Sequence, residues 1–148
     1  MCSMLLGQYE GKLGEKHQAG LPKRFREVLG DTIIITKGFE NCLFIVSVAE
    51  WQTLLEGTEG KPFTSKATRE LQRFFLGNAT EITLDVKGRF VIPEYLREFA
   101  GLHDELIFAG IKRYVEVWDT NTWHEHQKEL SNKIENIAER LQGDIGEK

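Results

Sequence analysis

Cysteine and proline are scarce in this chain: two of the first, Cys2 and Cys42, and three of the second in 148 residues. Two thiols cannot supply the disulfide density on which small secreted scaffolds depend, and no disulfide is expected between them. No apolar run approaches the roughly 20 residues needed to span a bilayer. The opening Met1-Cys2-Ser3-Met4-Leu5-Leu6 lacks the basic stretch and long apolar segment of a secretory signal. A cytoplasmic protein without a membrane partner is the expectation. A basic excess is missing too, since the net charge is −4. Its distribution matters more than its sum. From Glu116 onward there are 8 acidic residues against 4 basic ones, whereas residues 1–115 carry 15 of each. A neutral body can still present one basic face, so composition neither supports nor excludes nucleic acid as a partner.

The constellations that carry catalysis or bind metal are also absent. His124 and His126 lie two apart on an expected helix, point about 200° apart and cannot share an ion. His17 and His103 have no partner at ligand spacing. Gly57-Thr58-Glu59-Gly60-Lys61-Pro62 fails as a phosphate loop, because Leu55 stands where the first glycine should be and Pro62 replaces Ser or Thr. Cys42 falls in an apolar strand run, the usual place for an inert buried thiol. No enzyme, cofactor or metal is expected.

What is present is a repeat. Leu84-Asp85-Val86-Lys87-Gly88-Arg89-Phe90-Val91-Ile92-Pro93 aligns with Leu13-Gly14-Glu15-Lys16-His17-Gln18-Ala19-Gly20-Leu21-Pro22 at an offset of 71. Arg97-Glu98 continue the match with Arg26-Glu27, and Gly101 with Gly30. After a one-residue slip, Gly110 matches Gly38 and Trp123 matches Trp51. The organisation expected is repeat one over 7–54, a helical connector over 55–76, repeat two over 77–122, and a C-terminal helix and tail over 123–148.

Each repeat reads alike. Ile82–Leu84 and Arg89–Ile92 are short strands around a turn in which Gly88 can take a positive φ. Pro93 fits the first position of a short helix with Leu96 and Phe99 on its apolar side, and Gly101 ends it. Glu105–Ala109 and Tyr114–Trp118 are strands, and Asp119 caps a helix beginning near Asn121. The counterparts in repeat one are Thr32–Thr36 and Cys42–Val46, with Ser47 as the cap. Gly57–Pro62 reads as a polar loop. In the connector, Thr64 or Ser65 caps a helix that Gly77 stops, with Ala67, Leu71, Phe74 and Phe75 on one face and Lys66, Arg69 and Arg73 on the other. In the tail, Leu130, Ile134, Ile137 and Leu141 recur at heptad-like spacing, which suits either packing on the body or an oligomer contact.

The run Asp-x-Lys-Gly-Arg-x-x-Ile-Pro-x-x-Leu-Arg-Glu, from Asp85 to Glu98, resembles the core of the AbrB/SpoVT family of swapped-hairpin DNA-binding domains. Two such repeats around a connector carrying Arg73-Phe74-Phe75, each unit ending in Trp, resemble the MraZ family over roughly Gly7 to Leu130. The resemblance implies a mainly β, α+β fold with short helices: a swapped-hairpin β-barrel formed by the two repeats, plus the C-terminal helix. It also implies a nucleoid-associated regulator, a repressor of the bacterial division and cell-wall gene cluster. Such a regulator binds double-stranded DNA at repeated promoter elements as a ring-shaped homo-oligomer.

Elementary chemistry suits that implication. A two-stranded ribbon can enter the major groove, and a turn flanked by Lys and Arg delivers charge to phosphates and base edges. Arg89 has the planar fork for guanine or phosphate and Lys87 suits a phosphate. Asp85 can hold Arg89 or stabilise the turn, while Gly88, Pro93 and Arg97 complete the supporting motif. Repeat one departs from the family pattern: Gly14 and Gln18 replace Asp and Arg, and His17 replaces Gly. Gln18 can still bond adenine edges, and Lys12, Lys16, Lys23 and Arg24 lie nearby. The alternative is an oligomeric protein-interaction scaffold that has lost DNA binding through its degenerate first motif.

Overall fold

The structure, a computed structural model, describes residues 4–56 and 64–146, so Cys2 and the loop expected over Gly57–Pro62 lie outside the described residues. The first half of the chain supplies β1 (Leu5–Lys12), β2 (Gln18–Gly20), α1 (Lys23–Leu29), β3 (Thr32–Lys37), β4 (Leu43–Ser47) and α2 (Val48–Glu56). After α3 (Lys66–Phe75) the order recurs with β5 (Thr80–Thr83), β6 (Arg89–Val91), α4 (Glu94–Ala100), β7 (Glu105–Lys112), β8 (Val115–Asp119) and α5 (Thr120–Gly146).

The two halves interlock. β1 pairs with β7, β5 with β3 and β4 with β8, all antiparallel, so the six-stranded sheet runs β1-β7-β8-β4-β3-β5. Within it Phe44 faces Glu116, its own counterpart at an offset of 72. In a separate two-stranded ribbon Ala19 faces its counterpart Phe90. A pseudo-two-fold axis therefore passes through both. The fold is α+β and mainly β, as expected from the sequence, but the barrel is not closed: six strands form one sheet and β2–β6 stand apart as a ribbon. The turns after β1 and β5 carry the chain out of the sheet. β2 and β6, each three residues long, then find only one another as partners.

The register also moves one glycine match. Lys37 pairs with Leu43 and Gly110 with Val115, so Gly110 answers to Lys37, not Gly38, and the loop of the first half is one residue longer. Gly110 has its own reason to lack a side chain: a Cβ there would come within 2.6 Å of the backbone of Leu5 and Leu6.

The main core lies between the sheet and a lid made of the ribbon, α1 and α4. Ile33, Ile35, Leu43, Ile45, Leu106, Phe108, Val115 and Val117 from the sheet meet Phe25, Leu29, Leu96, Ala100, Phe90 and Ile92. Burying each such side chain stabilises the fold by about 1.5–3 kcal/mol before chain entropy is counted. On the sheet's other face Cys42, Ile107, Ala109, Trp118 and Trp123 form a smaller cluster. The Cys42 thiol is pushed up, first by burial and then by Glu116 and Glu40.

The helix ends follow local chemistry. Pro22 and Pro93 are the cap residues rather than the first helical ones: the Pro93 carbonyl accepts from the N–H groups of Leu96 (3.1 Å) and Arg97 (3.0 Å). Ser47 Oγ accepts the N–H of Glu50 at 3.1 Å, and Ser65, not Thr64, caps α3 through the N–H of Thr68 at 3.3 Å. Asp119 accepts the N–H of Asn121 at 3.2 Å. Of the α3 face, Phe74 and Phe75 pack among Phe39, Phe44 and Phe99, whereas Ala67 and Leu71 stay exposed. The first turns of α5 pack on the body through Trp123 and His126 against Trp118. Of the heptad-like stripe, Ile134 is 51% and Leu141 60% exposed, whereas Leu130 and Ile137 are half-buried.

Candidate nucleic-acid interface

The ribbon is amphipathic because its two strands alternate in register. Ala19 (1% exposed) and Phe90 (3%) point into the core. Gln18 and Val91 form the next rung on one side and Gly20 and Arg89 on the other, and both rungs face outward. Each end of the ribbon continues into a turn, and both turns close with the same pair of backbone hydrogen bonds. In turn two the N–H of Gly88 donates to Asp85 O (2.9 Å) and that of Asp85 to Arg89 O (3.0 Å). In turn one His17 donates to Gly14 O (3.2 Å) and Gly14 to Gln18 O (2.9 Å).

The side chains then separate the turns. Asp85 Oδ1 accepts the backbone N–H groups of Lys87 (2.9 Å) and Arg89 (2.8 Å), and Oδ2 accepts Arg89 Nε at 2.7 Å. These donors, the Arg89 backbone N–H foremost, hold the Asp85 carboxyl below its usual range. Arg89 is 47% exposed. With Nε tied to the carboxylate, the two terminal amino groups are left for a ligand, oriented at little further entropic cost. Lys87 is exposed at the tip. Turn one has Gly14 where the clamping carboxylate stands in turn two, and Lys16 and His17 take positive φ values of 65° and 60° there, where turn two has only Gly88 at +79°. Left-handed backbone is costly for ordinary residues, so turn one is the more strained.

The remaining candidates take different places. Lys16 is exposed at the tip of turn one and Gln18 is half-buried on the outward face beside it. Lys23 and Arg24 are exposed in the first turn of α1, next along the chain from the ribbon. Lys12 is exposed as the last residue of β1, two positions before turn one and opposite Glu105. Arg97 turns inward: its Nε donates to Ile92 O at 3.0 Å, a support for the strand end. Arg26, its counterpart in the repeat, carries no expected site role in the sequence. Its side chain crosses from the first half to lie over Gly88 of the second, where a Cβ would come within 2.4 Å of Arg26 Cδ. Its Nε is buried without a hydrogen-bond partner among the described residues. The repeat alignment with Arg97 was the available signal, but the crossing between halves is invisible in one dimension.

These features define a class: a two-repeat, interlocked-hairpin protein presenting a polar, Lys- and Arg-tipped β-ribbon to its surroundings. Among the described residues no group of three or more His, Cys, Asp and Glu is placed to hold a metal ion. No helix among them is long and apolar enough to cross a membrane. The family model of the MraZ protein matches the chain twice, over residues 4–74 and 75–145. The transcriptional regulator MraZ of Caldanaerobacter subterraneus subsp. tengcongensis is 41% identical over 138 residues, 93% of this chain and 96% of the relative. Those of Thermoanaerobacter sp. (strain X514) and Acetivibrio thermocellus are 40% and 39% identical over the same share of each. The chain belongs to the MraZ family, whose members at this similarity are transcriptional regulators.

Proposed function

We propose that the protein is a sequence-specific DNA-binding regulator that docks its β2–β6 ribbon in the major groove of repeated promoter elements. The observation that carries this is the Asp85 clamp, which fixes Arg89 at an exposed ribbon end with its amino groups outward. Arg89 contacts guanine or phosphate and Lys87 a phosphate, with Lys16, Gln18, Lys23 and Arg24 extending the footprint. Lys12, exposed just before turn one, adds to the same footprint. The two repeats, 7–54 and 77–122, act as one reading head, with 55–76 as the connector between them and 123–148 as an assembly element. Through the exposed stripe of α5 the protein forms a homo-oligomer, in the ring form that the family resemblance implies. It acts as a repressor of the division and cell-wall gene cluster, in the cytoplasm at the nucleoid, without cofactor or catalysis. A ring would gain from multivalency, since each weak ribbon contact becomes intramolecular once the first is made.

One observation favours a second reading, an oligomeric interaction scaffold: turn one has lost its clamp while keeping the two backbone hydrogen bonds that close it. Fluorescence anisotropy on the chain's own promoter-region DNA at two salt concentrations separates the two. The regulator reading requires binding that weakens steeply with salt and weakens further in Arg89→Ala. Absence of binding at the lower salt would leave the scaffold.

A further inference from the structure

The outward face of the ribbon has an order that the family's charge fork does not account for. Leu21 N–H donates to Gly88 O and Ile92 N–H to His17 O, which makes rungs 17/92 and 21/88 the hydrogen-bonding ones. By alternation, Gln18–Val91 and Gly20–Arg89 are non-bonded rungs, whose side chains stand closest, with Cβ atoms about 4.5–5.5 Å apart. Val91 is 51% exposed, directly across from Gln18. Half of this apolar β-branched side chain thus stands in solvent beside an amide on the outward face of the ribbon. Across from Arg89, Gly20 leaves open space: a Cβ there would meet nothing within 4 Å. One rung is thus an amide beside a methyl-bearing surface, and the other a guanidinium beside a notch.

From this juxtaposition we infer that the Gln18–Val91 rung reads a single A·T pair in the major groove, next to the guanine read by Arg89. The inference rests on the DNA-binding reading above. A Gln amide matches the N6–N7 edge of adenine, and an apolar side chain matches the thymine C5-methyl. The two groups belong to one base pair, and here they are met by two side chains of one rung. The rungs lie two residues apart, about 6.8 Å along the strands. A ribbon following the groove runs oblique to the helix axis, so that distance projects to no more than two steps of roughly 3.4 Å. The replacement of Arg by Gln in repeat one then makes the ribbon polar, with unlike readers at its two ends. Two copies of the same fork would have read a palindrome.

The test uses the full chain and duplexes enriched from a randomised pool. The enriched motif should hold a guanine and an A·T pair no more than two steps apart. Replacing that thymine with deoxyuridine removes only the methyl and should weaken wild-type binding about fourfold, while leaving Val91→Ala indifferent. Replacing its adenine with 7-deazaadenine should cost at least about fivefold, while leaving Gln18→Ala indifferent. Val91→Thr, which keeps the β-branched shape, serves as the second variant at the strand position. Equal losses in the wild type and the matched variants overturn the rung assignment, as does a motif with no A·T pair in that window. Should the base replacements do nothing while Arg89→Ala still loses affinity, the rung assignment falls and the DNA-binding reading stands. A wild type that enriches no sequence and binds no duplex removes both.

Discussion

Restoring the clamp to turn one, by Gly14→Asp with Gln18→Arg, probes how far the two ribbon ends are equivalent. The backbone is ready for it. Gly14 sits at φ −78° and ψ −167°, extended backbone open to any residue, and a Cβ there would lie 3.7 Å from Gln18 O, an ordinary contact. The turn already makes the two backbone bonds that frame Asp85 in turn two. The new carboxylate can therefore meet the N–H of residue 18 and the new guanidinium. Such an exposed pair contributes about 0–1 kcal/mol, so the melting temperature should hardly move. Binding should move more. One added bidentate contact contributes about 1–3 kcal/mol, roughly 5- to 150-fold in affinity for sites with guanine at that end. Each added phosphate contact would steepen the log K against log salt slope by about 0.9. The net charge stays constant, so bulk attraction cannot produce the gain. Anisotropy titrations at several salt concentrations supply both readouts. A folded double mutant with unchanged affinity and slope would show that end one never faces DNA.

Other perturbations test the fold around the ribbon. Gly110→Ala places a Cβ within 2.6 Å of the β1 backbone; a lost Leu5 anchor costs about 1.5–3 kcal/mol, and an unchanged denaturation midpoint would refute the close approach. The Glu116 carboxyl, which accepts Trp118 Nε1 at 2.9 Å, is held above its ordinary range, burial being the largest cause. Folded protein then keeps a proton that unfolded chain has released, so stability falls as pH rises from the ordinary glutamate value through the raised one. Glu116→Gln should remove that decline, and parallel slopes for mutant and wild type from the ordinary glutamate range upward would contradict it. Removing residues 131–148 should lower the number of subunits per particle by light scattering with little change in melting temperature, because Ile134 and Leu141 in the removed part are more than half exposed; an assembly of the same subunit number would exclude α5 as the seal.

Local chemistry was legible in the sequence, and long-range pairing was not. Ser47, Ser65 and Asp119 act within two or three residues of themselves, so their cap roles follow from order alone. The Asp85–Arg89 contact spans four residues and was legible for the same reason. The open sheet was not, since nothing in a three-residue strand says that its partner lies 71 positions away. Val91 read as one more apolar strand residue; only the register and burial of the ribbon turn it outward. Arg26 escaped because its neighbour Gly88 belongs to the other half. The Gly38–Gly110 match misled because both positions exclude a side chain for unrelated reasons, a clash with Phe44 in one case and with β1 in the other.

The interlocked order of strands has a consequence for synthesis. Leu5 on β1 pairs with Lys112 on β7, 107 positions later. At about 5–20 residues per second, β1 waits roughly 5 to 20 s for its partner after it is made. During that interval the first half holds an unsatisfied strand edge and the symmetry axis on which Phe44 will meet Glu116. A neighbouring nascent chain on the same message offers an equivalent surface at once, while the chain's own second half is still inside the ribosome. Swapped dimers, in which halves of two polypeptides complete each other's sheet, are the expected by-product of dense translation. Slowing initiation should reduce them more than lowering temperature does, because crowding on the message, not the speed of folding, sets which partner arrives first.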